Sequence, residues 1–438
     1  MQKTIAIVGG GAGGIFAALG AAKEAAAEES AANSEPIRIV ILERNPRIGI
    51  KILISGGGKC NITHAGDIET ILREGFLRTN EQRFLKRALY RYTNQNVLDL
   101  LERQGVYWHA RENGRIFPNL GRAEDVLEAF ERELATYNIE ILTKRRMTGL
   151  ARSGNQWIVE DGLRSLECDA VILATGGVSY PKVGTTGDGI TQAKTLEHQI
   201  VPLKSALAPI HLMRVPVDGL HGVALRDVEI AITQFDQVIA KRTGDILMTH
   251  RGLSGPAVLD VTRDAAEHFE AGPLKVIVNL LNISDEKARE LLLSVQNERP
   301  TQQIKTWLEE LVPNRFAPFV LQQAGLSIDK KWNALTREER KQLLEAVTRY
   351  SFGEIREIPI DRGEVTAGGI SLKEVDPKTM MSRKMAGLFF CGEMLDIAGE
   401  IGGYNLQAAY STGWVAGEEA VRYLHTTKQN DQAEVERL

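Results

Sequence analysis

The chain has few cysteines, no long apolar run and little net charge. Three scattered cysteines in 438 residues, Cys60, Cys168 and Cys391, do not make a disulfide framework or a paired-ligand metal site. No apolar run approaches the ~20 residues that cross a bilayer. The net charge of −4 gives no general basic field for nucleic acid, although it leaves room for a local patch. We therefore expect a protein of the reducing cytoplasm, with no metal and no membrane association.

A glycine motif follows the first apolar segment of the chain. Residues 4–8 predict a buried strand, and Gly9-x-Gly11-x-x-Gly14 leads from it into a predicted helix, with Ala12 inside the turn. Gly9 permits a tight turn, Gly11 leaves room for a pyrophosphate, and Gly14 lets the helix approach the strand. The free N–H groups of the helix start favour phosphate. This context predicts a dinucleotide site.

An acidic residue ends the second predicted strand, residues 37–42. Glu43 is placed to accept hydrogen bonds from an adenosine ribose, and Arg44 follows it. The alternative for Glu43 is an ordinary solvated charge at a strand end. The residues between Gly14 and Glu43 are more numerous than usual, and we interpret residues 21–36 as an extended helix and a loop.

Further glycine-rich segments expose the backbone that a flat ligand requires. They are residues 55–61, residues 174–189 after another predicted strand, and residues 392–405 after a third. A flexible surface loop is the alternative for the first segment, and a helix cap is the alternative for Asp188. The cofactor-binding candidates here are Lys51, Ser55, Gly57, Gly58, Asn61, Ala174, Thr175, Gly176, Asp188, Gly392, Glu393, Gly403 and Asn405.

FAD suits these segments better than NAD. The segments 55–61 and 392–405 are long enough, and glycine-rich enough, to enclose an isoalloxazine ring. The predicted helix start near Asn405 favours negative charge. No second strand–glycine–helix fingerprint and no redox cysteine pair occur. We therefore expect non-covalent FAD; a nicotinamide donor, NAD(P)H, would have to bind transiently over the flavin.

The length of the chain and its changes in pattern indicate several domains. We expect an α/β, Rossmann-like FAD-binding domain of residues 1–201 and 356–425, with an inserted β-rich, barrel-like domain of residues 202–283 and 350–360. Residues 284–349 predict a mostly helical domain, with breaks at Pro300, Pro313, Pro318 and Gly325. Within the first domain, residues 81–104 and 122–137 predict helices.

The motifs together resemble the BaiN-like or aminoacetone-oxidase-like family of bacterial NAD(P)/FAD-dependent oxidoreductases. The matching strings are residues 9–14, Ser55-Gly-Gly-Gly-Lys-Cys-Asn61, residues 174–177 with 187–189, residues 249–257, residues 366–370, and residues 392–405. Lys59 stands where Arg is expected in many relatives. The resemblance implies an FAD domain made from both ends of the chain, with an inserted β-rich domain and a helical lid.

Two reactions fit this resemblance. Reduced FAD delivers hydride to an activated C=C bond, in a small molecule or in a uridine of ribosomal RNA. The alternative is an oxidase that takes hydride from an amine or aminoketone and passes electrons to oxygen. No stable protein partner is inferred.

The catalytic candidates are Cys60, His250, Arg251 and Tyr404, which we expect to face a substrate that enters between the FAD domain and the inserted module. Each has a structural alternative. Cys60 is then a buried thiol, His250 and Arg251 make domain-interface hydrogen bonds, and Tyr404 packs.

Overall fold

The computed structural model describes residues 2–32, 36–215 and 219–435. The chain divides into two units, Met1–Leu203 with Glu364–Leu438, and Lys204–Gly363. Residues 33–35, in the loop expected before the second strand, lie outside the described residues. The three domain ranges expected from the sequence stay a prediction.

Nineteen strands are described. They are β1 Thr4–Val8, β2 Arg38–Leu42, β3 Thr63–His64, β4 Trp108–Ala110, β5 Arg115–Pro118, β6 Ile139–Leu142, β7 Gly149–Ser153, β8 Gln156–Glu160, β9 Ser165–Cys168, β10 Ala170–Leu173, β11 Ile200–Ala206, β12 Ile210–Leu212, β13 Ala224–Gln234, β14 Gln237–Thr249, β15 Gly252–Ser254, β16 Lys275–Asn279, β17 Tyr350–Glu357, β18 Val365–Ile370 and β19 Leu388–Phe390.

Thirteen α-helices are described, with short 3₁₀ turns between some of them. They are α1 Ala12–Ala32, α2 Ile50–Ile54, α3 Ile68–Gly75, α4 Thr79–Arg91, α5 Asn94–Arg103, α6 Ala123–Ala135, α7 Asp188–Thr195, α8 Pro256–His268, α9 Asp285–Glu298, α10 Ile304–Leu311, α11 Ala317–Gln323, α12 Arg337–Thr348 and α13 Tyr404–Val435.

A parallel sheet of order β19-β10-β1-β2-β6 forms the centre of the first unit. Its middle strands are apolar and buried on both faces, as in Ile5, Ile7 and Val40, which is typical of a parallel sheet covered on both sides. All carboxyl ends of a parallel sheet lie at one edge, where α/β proteins bind ligands. The strand ends that carry the glycine motifs are therefore neighbours, and the Rossmann-like fold predicted from the sequence is confirmed.

Helices α1 and α13 pack backbone against backbone through glycines. A Cβ atom on Gly20 would lie 2.3 Å from the carbonyl oxygen of Trp414. A Cβ on Gly413 would lie 2.2 Å from the carbonyl oxygen of Gly13, and one on Gly417 2.0 Å from that of Ala17. Real Cβ atoms do not approach so closely, so only glycine permits this contact. The first and last helices of the chain thus form one pair.

The helix predicted over residues 81–104 is two helices in the structure. Helix α4 ends at Arg91, and the Thr93 side chain then accepts from the N–H of Asn96 while the Asn96 side chain accepts from the N–H of Thr93. This reciprocal pair is a capping box, which starts α5 as a new helix. The helical character predicted for residues 81–104 is confirmed, and the division at Thr93 was not predicted because the apolar periodicity continues across the cap.

A closed antiparallel barrel of order β12-β15-β14-β13-β16-β17 forms the second unit together with helices. Its core contains Ile230, Leu253 and Val276, all fully buried. The β-rich, barrel-like part expected from the sequence is therefore confirmed.

Helices α9 to α12 pack in the same unit around Trp307 and Trp332, whose ring centroids lie 5.2 Å apart. Pro318 does not break the helical region, because it lies in the first turn of α11, where a missing N–H costs nothing. Among the described residues, no helix has both the length and the apolar character that a membrane span requires.

Candidate functional site

The three glycines of the first turn differ in what surrounds them. Gly9 has φ +104°, and a Cβ there would lie 2.5 Å from the carbonyl oxygen of Ala174. A Cβ on Gly14 would lie 1.8 Å from the carbonyl oxygen of Gly9, so this glycine lets α1 touch the turn. A Cβ on Gly11 would have no heavy atom within 4 Å. The turn, which leads into α1 at Ala12, thus offers open space at Gly11 and free N–H groups beside it, and these features fit a pyrophosphate.

Glu43 is nine-tenths buried at the end of β2. Its Oε2 accepts from the N–H of Gly10 and its Oε1 from the N–H of Asn45, both at 2.7 Å. These bonds fix the carboxylate against the glycine turn. A carboxylate has about four acceptor positions, so capacity remains for a ribose hydroxyl. The solvated-charge alternative does not fit a buried group with two backbone partners.

Arg44 and Asp188 lie together beside this strand end. Arg44 donates to the hydroxyl of Thr186, and its Nη1 lies 3.5 Å from Asp188 Oδ2. Arg146 donates to both oxygens of Asp188 at 2.8 and 2.9 Å, and these bonds lower the pKa of Asp188 despite its partial burial. Asp188 does not cap α7. The N-cap residue of this helix is Gly187, and no side chain makes a capping hydrogen bond there. The capping alternative is therefore wrong.

The carboxyl end of β10 carries Ala174, Thr175 and Gly176. Gly176 has φ +74°, a left-handed conformation that glycine adopts without strain. The hydroxyl of Thr175 accepts from the N–H of Gly189 at 3.2 Å and so connects this turn to the start of α7. The two ends of the segment 174–189 are thus held together.

A lysine and a glutamate from distant parts of the chain form an ion pair in the same unit. Lys51 Nζ lies 2.6 Å from Glu393 Oε2 and donates to Ser179 Oγ at 2.8 Å. Ser179 Oγ donates to Glu393 Oε1 at 3.0 Å, and the N–H of Thr366 donates to the same oxygen at 2.8 Å. A Cβ on Gly177 would lie 2.3 Å from Thr366 Oγ1, so glycine is required there. We call Lys51, Ser179, Thr366 and Glu393 the Lys51–Glu393 network.

Sequence reasoning found two members of this network and missed the other two. Thr366 begins one of the family strings, and Ser179 follows the glycine turn after β10 by two residues. Their hydroxyls carry no motif of their own, so only their proximity to these strings could have identified them.

Three successive glycines in the segment 55–61 adopt left-handed conformations. Gly56, Gly57 and Gly58 have φ of 56°, 67° and 83°, and all are exposed. The Ser55 hydroxyl donates to the carbonyl of Ile52 at 2.7 Å, which fixes the start of the turn. The backbone from Gly56 to Gly58 is therefore bare and accessible.

Asn61 connects this segment to the last glycine segment. With its amide oriented to satisfy both atoms, the oxygen accepts from the N–H of Gly403 at 3.0 Å, and the nitrogen donates to the carbonyls of Thr63 and Ile116. A Cβ on Gly403 would lie 2.7 Å from the backbone of Thr63. The two segments predicted to enclose the ring of a flavin are thus in direct contact.

Asn405, in the first turn of α13, bonds through its side chain to the loop before the helix. Its Oδ1 accepts from the N–H of Gly399 at 2.8 Å, and its Nδ2 donates to the carbonyl of the same residue at 2.9 Å. Gly392, with φ 64°, donates its N–H to the hydroxyl of Thr412. These bonds shape the loop between β19 and α13.

Cys60 is fully buried, and burial raises the pKa of its thiol to about 12. A thiol with that pKa is a poor nucleophile and does not reach solvent, which favours the structural alternative. Its catalytic role stays a prediction. All three cysteines are free and buried.

Tyr404 starts α13 and is 5% exposed. Its ring stacks on the ring of His64, with centroids 4.6 Å apart and planes 21° from parallel, and it packs closely on Gly75. The contacts favour packing over proton donation. Sequence reasoning missed His64, although it lies three residues beyond Asn61.

His250 and Arg251 lie in the second unit, at the turn between β14 and β15. Both are exposed, and the His250 ring stacks on His221 with centroids 4.3 Å apart. Their role toward a substrate stays a prediction. Among residues 2–32, 36–215 and 219–435, no group of histidine, cysteine and acidic side chains could hold a metal ion.

Comparison with known proteins gives consistent matches over nearly the whole chain. Residues 3–419 match the family described as HI0933-like protein Rossmann domain. A ribosomal RNA dihydrouridine synthase of Escherichia coli is 28% identical over 415 residues, which cover 95% of this chain and 97% of that protein. A 3-dehydro-bile acid delta(4,6)-reductase of Clostridium scindens is 29% identical over 429 residues, 96% and 99% of the two chains.

A fold similar to that of this chain also occurs among solved structures. A 3-ketosteroid delta1-dehydrogenase of Sterolibacterium denitrificans superposes with a TM-score of 0.53 over 96% of this chain and all of that one, at 12% identity.

Proposed function

This chain belongs to the HI0933-like family of Rossmann-domain proteins and is an FAD-dependent oxidoreductase. From this premise, we propose that it delivers hydride to an activated C=C bond. The observation that carries the proposal is the Lys51–Glu393 network, a fixed cation held at a strand-end site whose glycine turns fit a dinucleotide. Two similar proteins are named for the reduction of double bonds, one in ribosomal RNA and one in a bile acid.

The residues that would hold FAD are those of the glycine turns and their partners. The turn at Gly11 and the start of α1 would bind the pyrophosphate, and Glu43 would accept from the ribose. The segments joined by Asn61 and Gly403 would lie against the ring. When bound, FAD supplies the hydride chemistry, and the protein supplies position and electrostatics.

Lys51 supplies a positive charge of fixed position at this site. Glu393 Oε2 and Ser179 Oγ hold its Nζ, while the N–H of Thr366 fixes the second oxygen of Glu393. The side chains of Lys51 and Glu393 are only 25% and 19% exposed, so the charge is weakly screened. Because Glu393 balances this ammonium, the pair acts as a fixed dipole; with its ammonium end toward bound FAD, it would stabilise negative charge that develops there during hydride transfer without reorganisation at that moment.

The substrate class is a small molecule or a uridine of ribosomal RNA, and the electron donor is NAD(P)H. The names of the similar proteins support both substrate classes, and a ribosomal substrate would be met in the cytoplasm. The family resemblance supports a nicotinamide donor that binds only transiently.

Stopped-flow measurement of flavin reduction tests this function. NADH, NADPH and candidate amines are mixed with the FAD-loaded protein, and the reduced enzyme is then mixed with air, a small enone or uridine-containing RNA. Reduction by a nicotinamide and reoxidation by the enone or RNA faster than by air would support the proposal. Reduction by an amine with rapid reoxidation in air would instead show an oxidase, and a protein that takes up no flavin would refute both.

A further inference from the structure

The small sheet β3-β5-β4 carries a basic and aromatic face at its edge. Backbone hydrogen bonds from Asn119 to Tyr107 and from Arg111 to Arg115 continue the pairing beyond both ends of β4. Because side chains alternate along a strand, Tyr107, His109 and Arg111 share one face. All three are exposed, Tyr107 by 65% of its surface. We call these three residues the β4 outer face.

Arg111 lies over an aromatic ring on this face. Its guanidinium carbon lies 4.0 Å from the ring centroid of Phe117, a residue that is only 5% exposed. Phe117 is also the partner of His109 across the strands, with ring centroids 6.5 Å apart. A guanidinium supported on one side keeps its other side and its N–H groups for a planar or anionic ligand.

The same sheet continues to the residues of the candidate site. A Cβ on Gly56 would lie 3.3 Å from the ring of Phe117. On the next strand, Arg115 pairs with His64, and the ring of His64 stacks on Tyr404. The β4 outer face therefore lies in the same small sheet as residues that contact two of the glycine segments.

We propose that the β4 outer face binds single-stranded RNA, with bases stacked on Tyr107 and on the Arg111 guanidinium and phosphates paired with Arg111. This proposal rests on the proposed function and assigns the RNA class of substrate to it. Proteins recognise unpaired bases by stacking on aromatic rings and guanidinium planes. Residues 107–119 contain Arg111 and Arg115 against one acid, Glu112, in a chain of net charge −4. The positive charge is thus local, and a single exposed edge suits a strand with splayed bases better than a duplex.

Fluorescence anisotropy on the FAD-loaded full chain tests this surface. The probe is a labelled single-stranded, uridine-rich 12-nucleotide RNA, measured at several salt concentrations. We expect Arg111→Gln to weaken binding about fivefold or more and to reduce the slope of log affinity against log salt by about 0.7. We expect Tyr107→Ser to weaken binding by roughly fivefold or more through the loss of stacking. The same sequence as a duplex should bind more weakly.

Arg152→Gln is the matched control. Arg152 is also exposed and lies over a buried ring, 5.5 Å from the centroid of Trp157, but in the hairpin of β7 and β8. The Arg152→Gln variant should bind the RNA with the same affinity as the unchanged protein. Flavin occupancy and reduction of a small enone are measured on every variant.

The possible outcomes distinguish failure of the RNA-binding proposal for the β4 outer face from failure of the proposed reductase function. RNA affinity that is unchanged in Arg111→Gln and Tyr107→Ser, or reduced equally in Arg152→Gln, would overturn the proposal. Loss of flavin in the two variants would also overturn it, because the face would then be structural. Should the unchanged protein reduce the enone but fail to bind the RNA, the surface proposal fails alone and the proposed reductase stands.

Discussion

Replacement of Gly11 by valine should abolish FAD binding without unfolding the protein. No heavy atom lies within 4 Å of a Cβ at this position, and Gly11 is not among the glycines with positive φ. The side chain should therefore change the free energy of unfolding of the FAD-free protein by about 1 kcal/mol or less. The branched side chain would occupy the space that the pyrophosphate needs.

The magnitude of the effect follows from binding linkage. FAD at a hundred times its dissociation constant stabilises a protein that binds it by about 2.7 kcal/mol. The unchanged protein should show this gain in its unfolding transition, and Gly11→Val should show none. The assay is thermal or denaturant unfolding with and without FAD, together with flavin absorbance after gel filtration.

Gly14→Val is the contrasting variant. Its Cβ would lie 1.8 Å from the carbonyl oxygen of Gly9, so it should destabilise the FAD-free protein itself by about 3 kcal/mol or more. A Gly11→Val protein that keeps full flavin occupancy would refute the assignment of this turn to the phosphates.

Three further results are expected. Lys51→Met should keep FAD but lower the rate of enone reduction about tenfold or more. A double-mutant cycle with Glu393→Gln should give a coupling energy of about 0.5–3 kcal/mol, and additive effects would show that the two residues do not act together. Burial raises the pKa of Cys60 to about 12 from about 8.5 in the unfolded chain, so its contribution to stability is complete below pH ~8.5 and is lost as the pH rises toward 12. Unfolding measured from pH 8 to 11 should therefore show a weaker decline in Cys60→Ala, and an identical decline would contradict this. Gly177→Ala should displace Thr366 and lower flavin occupancy, as absorbance would show, whereas full occupancy would mean that the contact relaxes at no cost.

The parts of the fold that local patterns determine could be predicted from the sequence. Strand, glycine turn and helix follow one another within residues 4–32, and the reasons for Gly9 and Gly14 are steric and local. The barrel was also predictable, because apolar and polar residues alternate along β13 and β14, as they do in strands with one buried face. The break at Thr93 was missed because a capping box depends on two side-chain bonds that periodicity does not show.

The candidate site was predictable only in part, because its polar contacts join distant segments. Lys51 and Glu393 are 342 residues apart, and nothing in either local pattern announces the pair. The capping role suggested for Asp188 was wrong, because its carboxylate pairs with Arg146, a contact that the local sequence does not show. Burial of Cys60 was expected only as one of two alternatives, because a glycine-rich neighbourhood does not show whether a thiol is buried.

The pairing of the first helix with the last has a consequence for synthesis on the ribosome. Helix α1 leaves the ribosome well before the glycines of α13 against which it packs are translated. At about 5–20 residues per second, the nascent α1 waits on the order of half a minute for its partner. The residues of the barrel unit emerge completely during this interval, before the first unit can close. The nascent chain must therefore keep an apolar, glycine-faced helix exposed, and truncation before α13 should yield a chain that chaperones retain.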